Sequence, residues 1–188
     1  MRKRTFMLAA LPALAALVLS CSNHCGEQKD SSAAPVETKV DISTLKRVYD
    51  DDADPCMQIN AAIQEASKDG KNVICQVGGN WCRWCLMFAD FISKDEELAE
   101  MVDDNFIYVH VNVRHKNAET GKNELYTEAM TMLGNPQRFG FPVLVVLDQD
   151  GKVLHFQDSS YLEAGEGYDK EKVLRFFKNW TPSALRGE

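Results

Sequence analysis

Two cysteines three positions apart, Cys82 and Cys85, stand in the stretch "GGNWCRWCLMF" from Gly78 to Phe88. A Cys-x-x-Cys pair can be a redox centre, half of a metal site or a structural staple. A tetrahedral zinc site needs four ligands, or three and a water. The histidines His24, His110, His115 and His155 are not spaced as a second knuckle, and there is no second Cys-x-x-Cys. A zinc site that recruits His110 or His115 across the fold stays open on these grounds. Covalent haem attachment requires a histidine directly after the second cysteine, and Leu86 occupies that place. A staple between such close neighbours closes a very small loop and gains little chain entropy.

The redox reading has a positive physical case. Cys82 is placed at the amino end of a helical pattern, where unpaired N–H groups and the helix dipole favour an anion. A thiolate there is stabilised and becomes available as a nucleophile near neutral pH. Cys85, one turn later on the same side, can close a disulfide with it. Arg83 between them adds a positive charge that favours the thiolate and makes the disulfide more oxidising. Trp81 and Trp84 supply an apolar rim that could receive an extended substrate segment.

These residues need elements to hold them. Asp54 is placed as an N-cap and Pro55 as the first residue of a helix, with Ile59, Ala62, Ile63 and Ala66 at helical spacing and Gly70 closing it. "NVICQV" (Asn72 to Val77) is a β-branched run suited to a buried strand, with Cys75 as a small core residue inside it. "RWCLMFADFI" continues from the cysteine pair as a helix, and "FIYVHVNV" (Phe106 to Val113) is a second strand. "NELYTEAMTML" reads as a helix stopped by Gly134. "PVLVVLD" (Pro142 to Asp148) is an apolar strand, "QDG" a turn, and "KVLHFQ" its antiparallel partner. Val173, Phe176, Phe177 and Trp180 share one face of a terminal helix. Strands alternating with helices, then a hairpin and a last helix, make an α/β three-layer sandwich around a mixed sheet.

The chain has 188 residues, enough for one domain with appendages, and a formal net charge of -7. Arg2, Lys3 and Arg4 open a segment without acids, so the remainder is more acidic than the whole. No basic patch suits it to nucleic acid. The apolar run "TFMLAALPALAALVLS" after "MRKR" has the form of a secretory signal. Its end, "VLSC", resembles the lipobox of bacterial lipoproteins, which implies a signal peptide over 1–20 and lipid attachment at Cys21. Residues 21–45 are expected to form a polar tether and 46–188 the folded domain. The expected location is the bacterial cell envelope, lipid-anchored, with the domain facing the periplasm or outer surface.

"WCRWC" after a strand, with "GFPVLVVLDQDGKVL" downstream, resembles the thioredoxin superfamily over roughly Asp50 to Trp180. The resemblance implies a thioredoxin-like α/β/α sandwich with a central mixed sheet of about four to five strands. It implies that Cys82 is the nucleophile and Cys85 the resolving cysteine of a Cys82–Cys85 redox disulfide. Pro142 would be cis and packed against the pair, and Phe141 would line a peptide groove with Trp81 and Trp84. The variant resembles secreted bacterial thioredoxin-like proteins with a Trp-Cys-x-Trp-Cys site.

The departures from the family pattern are specific. Gln76 stands where a buried aspartate often assists the resolving cysteine, and a glutamine cannot accept a proton at physiological pH. Arg83 and Trp84 replace the usual Gly-Pro, so the redox poise does not carry over. Asp90 replaces a helix-kinking proline, which implies a straighter helix. The segment Arg114 to Arg138 is longer than in minimal thioredoxins. The expected function is an envelope thiol–disulfide oxidoreductase acting on protein dithiols and disulfides with a redox partner protein, with no cofactor and no metal. The alternative is a copper carrier or assembly chaperone on the same scaffold. Carriers of that kind add a histidine near the proline loop and space their cysteines by three residues, and neither feature is present.

Overall fold

The helix that opens the domain owes its start to one carboxylate. A computed structural model describes residues 40–113 and 123–188. In it Asp54 accepts from the backbone N–H groups of Cys56 and Met57 at 2.8 and 3.2 Å, and α1 runs Pro55–Asp69. Gly70 ends it in the left-handed conformation, φ 69°. Next comes β1 (Asn72–Gly78), buried along its whole length as a β-branched central strand should be. The cysteine-bearing helix α2 spans Arg83–Lys94.

The remaining helices and strands are α3 (Glu96–Asn105), β2 (Phe106–Asn112), α4 (Asn123–Met132), β3 (Val143–Leu147), β4 (Val153–Asp158), the short hairpin β5 (Glu163–Ala164) and β6 (Gly167–Tyr168), α5 (Lys170–Asn179) and α6 (Pro182–Arg186). The four-stranded sheet has the order β2-β1-β3-β4. β1 and β2 are parallel, and β3 is antiparallel to both β1 and β4.

Alternation along the strands sorts the core into two layers. Ile74, Leu144 and Val146 face α2, α3 and α5, where they meet Phe88, Leu98, Val173 and Phe177. Val73, Cys75, Val77, Val143 and Val145 face α1 and α4, against Ile59, Ala66, Ala129 and Met130. The result is the expected three-layer α/β/α sandwich with a mixed sheet.

Three features were not foreseen. Asp95 takes an extended conformation that separates α2 from α3, and its side chain caps α3 by accepting from Leu98 N–H at 3.2 Å. Lys170 of α5 then bridges Asp95 and Glu97 at 2.9 and 3.1 Å. The second is the β5–β6 hairpin, and the third is α6. Asp90 lies within an unbroken α2, paired with Lys94 at 2.8 Å. The later part of the long segment Arg114 to Arg138 is core-forming: α4 and its end bury Ala129, Met130 and Leu133, and Cys56 Sγ donates to the Leu125 carbonyl at 3.4 Å. The signal segment, Cys21, Cys25, His24, His115 and most of the tether lie outside the described residues.

Candidate functional site

The end of β1 delivers the chain to the site. Gly78, Gly79 and Asn80 lead from the strand into the helix, and the glycines are required by close approach. A Cβ on Gly78 would overlap Cys85 Sγ and come within 2.8 Å of Tyr49 Oη. A Cβ on Gly79 would collide with the Trp81 indole and stand 3.1 Å from Asn112 Oδ1.

Cys82 is the N-cap of α2, with extended backbone, and its Sγ accepts from the Cys85 N–H at 3.2 Å. The sulfur occupies the place where a capping oxygen usually sits, at the positive end of the helix. Cys82 and Cys85 are joined by a disulfide with their Cα atoms 5.2 Å apart. Cys82 keeps 7% of its surface exposed and Cys85 none, so only Cys82 can be reached from outside. The pair is thus asymmetric in the way an attack-then-resolve sequence needs.

Phe141–Pro142 is a cis peptide bond, and Pro142 is buried where the chain enters β3. Phe141 packs against the cluster of Tyr49, Cys82, Cys85 and Leu86, and meets the Trp81 ring edge to face with centroids 5.6 Å apart. Trp81, 41% exposed, and half-buried Phe141 therefore form an accessible aromatic surface beside the sulfurs. Half-buried Trp84 packs against the same cysteine cluster and also against the hairpin: its ring meets Tyr168 of β6 edge-on, and the Tyr168 hydroxyl donates to the Trp84 carbonyl at 3.1 Å. The structure places Trp84 as a brace between α2 and the hairpin.

Arg83 reaches the hairpin too, its guanidinium 3.5 Å from the Glu166 carboxylate. Its charge is shared with that acid rather than held by the sulfurs alone. Gln76 lies directly beneath the pair. Its Nε2 donates to the Cys85 carbonyl at 2.9 Å and to Tyr49 Oη at 2.6 Å, and its Oε1 accepts from the Tyr108 hydroxyl at 2.7 Å. His110 packs its ring against both tyrosines, at 5.2 and 5.3 Å. Burial pushes His110 down to about 4 and holds the Tyr49 and Tyr108 hydroxyls well above the usual phenol range.

Tyr49, Asn80, Tyr108 and Asn112 are the site residues that sequence reasoning missed. Asn80 is buried and clamps Tyr49 at two points, accepting from its N–H at 3.2 Å and donating to its carbonyl at 2.7 Å. Asn112 holds the next residues, donating to Asp51 Oδ1 at 2.8 Å and to the Asp50 carbonyl at 3.3 Å. A signal for Asn80 was present: an amide at the strand-to-helix turn has a backbone to bind. Tyr49 lies in an acidic stretch without periodicity and offered none. Cys56 and Cys75 are free and buried, and burial raises both thiols. Among the described residues, no three His, Cys, Asp or Glu side chains converge to hold a metal ion.

Residues 42–181 match the family model described as "Thioredox_DsbH: Protein of unknown function, DUF255". Among solved structures, the chain is similar to a disulphide isomerase from Xylella fastidiosa Temecula1. The identity is 24%, the match covers 72% of this chain and 97% of that one, and the TM-score is 0.59. It is also similar to a structure described as DsbH oxidoreductase, at 23% identity over 68% of this chain and 81% of that one, with a TM-score of 0.46. No curated protein matches the chain. The first of these likenesses shows a thioredoxin-like fold.

Proposed function

The chain belongs to the Thioredox_DsbH family, and from that premise we propose that it is a thiol–disulfide oxidoreductase exchanging disulfides with protein substrates. One observation carries the reading. The more accessible cysteine of the pair caps the start of α2, bonded to a fully buried one a turn on, beside a cis-proline loop.

In the oxidised protein a substrate thiolate attacks Cys82 Sγ. The Cys82–Cys85 bond breaks, and Cys85 leaves with the electron pair. A second substrate thiolate then attacks the substrate sulfur of the mixed disulfide and releases Cys82 as a thiolate. In the reverse direction the Cys82 thiolate attacks a substrate disulfide, and Cys85 displaces the substrate from Cys82. The helix amino end stabilises the Cys82 thiolate in both directions. Trp81 and Phe141 offer apolar contact to a substrate segment, and the backbone before Pro142 can pair with it as an added strand. The direction of net flow is set by the poise of the redox partner.

We also propose that Cys21 is the lipid-bearing first residue of the mature chain, which tethers the domain to the bacterial envelope. The support is the basic opening, the apolar run and the Ser20–Cys21 junction. Among the described residues no helix is long and apolar enough to cross a membrane. A Cys21→Ser variant is expected to leave the membrane fraction. If it stays there, the anchor lies elsewhere.

Trapping tests the exchange. A Cys85→Ala variant keeps the attacking sulfur and removes the one that resolves, so mixed disulfides with native partners should accumulate on Cys82. If none accumulates under conditions that trap an authentic thioredoxin-like enzyme, the proposed activity is wrong.

A further inference from the structure

Gln76 sets the direction of the hydrogen bonds beneath the cysteine pair. The carbonyl oxygen of Cys85 can only accept, so the atom 2.9 Å from it is the amide nitrogen. That nitrogen also donates to Tyr49 Oη at 2.6 Å, while the amide oxygen is occupied by the Tyr108 hydroxyl. Tyr49 therefore receives a hydrogen bond on its oxygen and keeps its own proton for a different acceptor. With 4% of its surface exposed, Tyr49 has little access to bulk water. The Asn80 clamp fixes its backbone in place.

Cys85 Sγ is a neighbour of that hydroxyl. A Cβ on Gly78 would overlap Cys85 Sγ and stand 2.8 Å from Tyr49 Oη, so the sulfur and the hydroxyl border the same small volume. Glycine keeps that volume free of a side chain of its own, which leaves the sulfur and the hydroxyl as near neighbours. In the disulfide, Cys85 Sγ is neutral and tied to Cys82. When that bond breaks, the sulfur becomes a buried anion that needs a hydrogen-bond donor.

We propose that Tyr49 is a catalytic residue of the exchange, donating a hydrogen bond to the Cys85 thiolate. This deepens the oxidoreductase reading and rests on it. As a substrate thiolate attacks Cys82, the electron pair of the breaking S–S bond moves to Cys85 Sγ, and the Tyr49 O–H supports that charge. In resolution the same thiolate attacks the mixed disulfide at Cys82, and the bond to Tyr49 is released. No proton need be transferred to Gln76, which cannot take one. Burial keeps the Tyr49 phenol protonated, so it stays a donor through the physiological range. The other titratable groups around this pair are Cys82 in the same turn, Tyr108 and His110 from β2, and Tyr168 from the hairpin, with Asp51 on the segment that carries Tyr49.

The test follows the Cβ carbon resonance of Cys85 in the reduced protein as pH is raised, a reading that needs no turnover. Tyr49→Phe keeps the ring and removes the hydroxyl. It should weaken Cys85 as an acid about tenfold, the scale of one hydrogen bond to a charged group, and leave the Cys82 midpoint in place. Tyr108→Phe, which empties the opposite end of Gln76, should not move Cys85. An unmoved Cys85 midpoint in Tyr49→Phe overturns the proposal, as does an equal shift in Tyr108→Phe.

Should Tyr49→Phe fail to fold, the unaltered protein supplies the reading. A tyrosine C–O infrared band should shift as Cys85 ionises, and a band indifferent to that transition overturns the proposal. If Cys85 responds to Tyr49 but no disulfide is exchanged, the activity reading falls and the hydrogen bond stands. If exchange proceeds with Cys85 unmoved, the reverse holds.

Discussion

At the scale of single residues, the site replaces a buried charge with a neutral network. Gln76, two tyrosines and a histidine fill the space beneath the sulfurs, and His110 is the member whose ordinary value lies near neutrality. Its Nε2 is buried without a partner among the described residues, and burial lowers it from an ordinary 6.5 to about 4. Between those values the unfolded chain binds the proton and the folded one does not. Stability is therefore fully present above about pH 6.5 and is lost as pH falls toward about 4. The loss should amount to roughly 3 kcal/mol. A His110→Phe variant keeps ring contacts to Tyr49 and Tyr108 but cannot titrate. Urea unfolding near neutrality and in mild acid should show the wild type losing stability on acidification and the variant losing much less. Equal losses would mean that His110 is protonated in the fold. The sequence made Gln76 stand out because a family position held the wrong chemistry. It could not reveal the amide's partners, since Tyr49 and Tyr108 come from 27 residues before and 32 after it.

At the scale of elements, the cysteine-bearing helix is positioned by what lies at its two ends and along one flank. Gly78 lets β1 pass close beneath Cys85, Asp95 ends α2 and starts α3, and Tyr168 with Glu166 ties the hairpin to Trp84 and Arg83. Gly78→Ala places a methyl where Cys85 Sγ and Tyr49 Oη already stand. The oxidised protein should lose about 1–3 kcal/mol, the usual cost of overpacking, measured by denaturant unfolding. No loss would mean that the approach of strand to helix is slack. The α1 cap, β1, β2 and the β3–β4 hairpin were legible because periodicity and turn residues are local signals. The β5–β6 hairpin was not, because each strand has only two residues, too few for a period to show. The Arg83 charge was legible but its partner was not, since Glu166 lies 83 positions away.

At the scale of the whole molecule, the sandwich sets one accessible sulfur at a helix amino end and shields its partner beneath it. Fold class and the cysteine pair were readable because strand, Cys-x-x-Cys, helix and Phe-Pro strand are ordered in the chain as the fold requires. The sheet order was not, because pairing across β1 depends on contacts between distant segments. The account depends on Cys82 being an accessible thiolate near neutral pH. Its alkylation rate in the reduced protein, followed against pH and mapped to that cysteine, measures this directly. The expected result is a midpoint well below the ~8.5 of a free thiol. A Cys82 that reacts only in alkaline solution, at or above the free-thiol midpoint, would contradict the account.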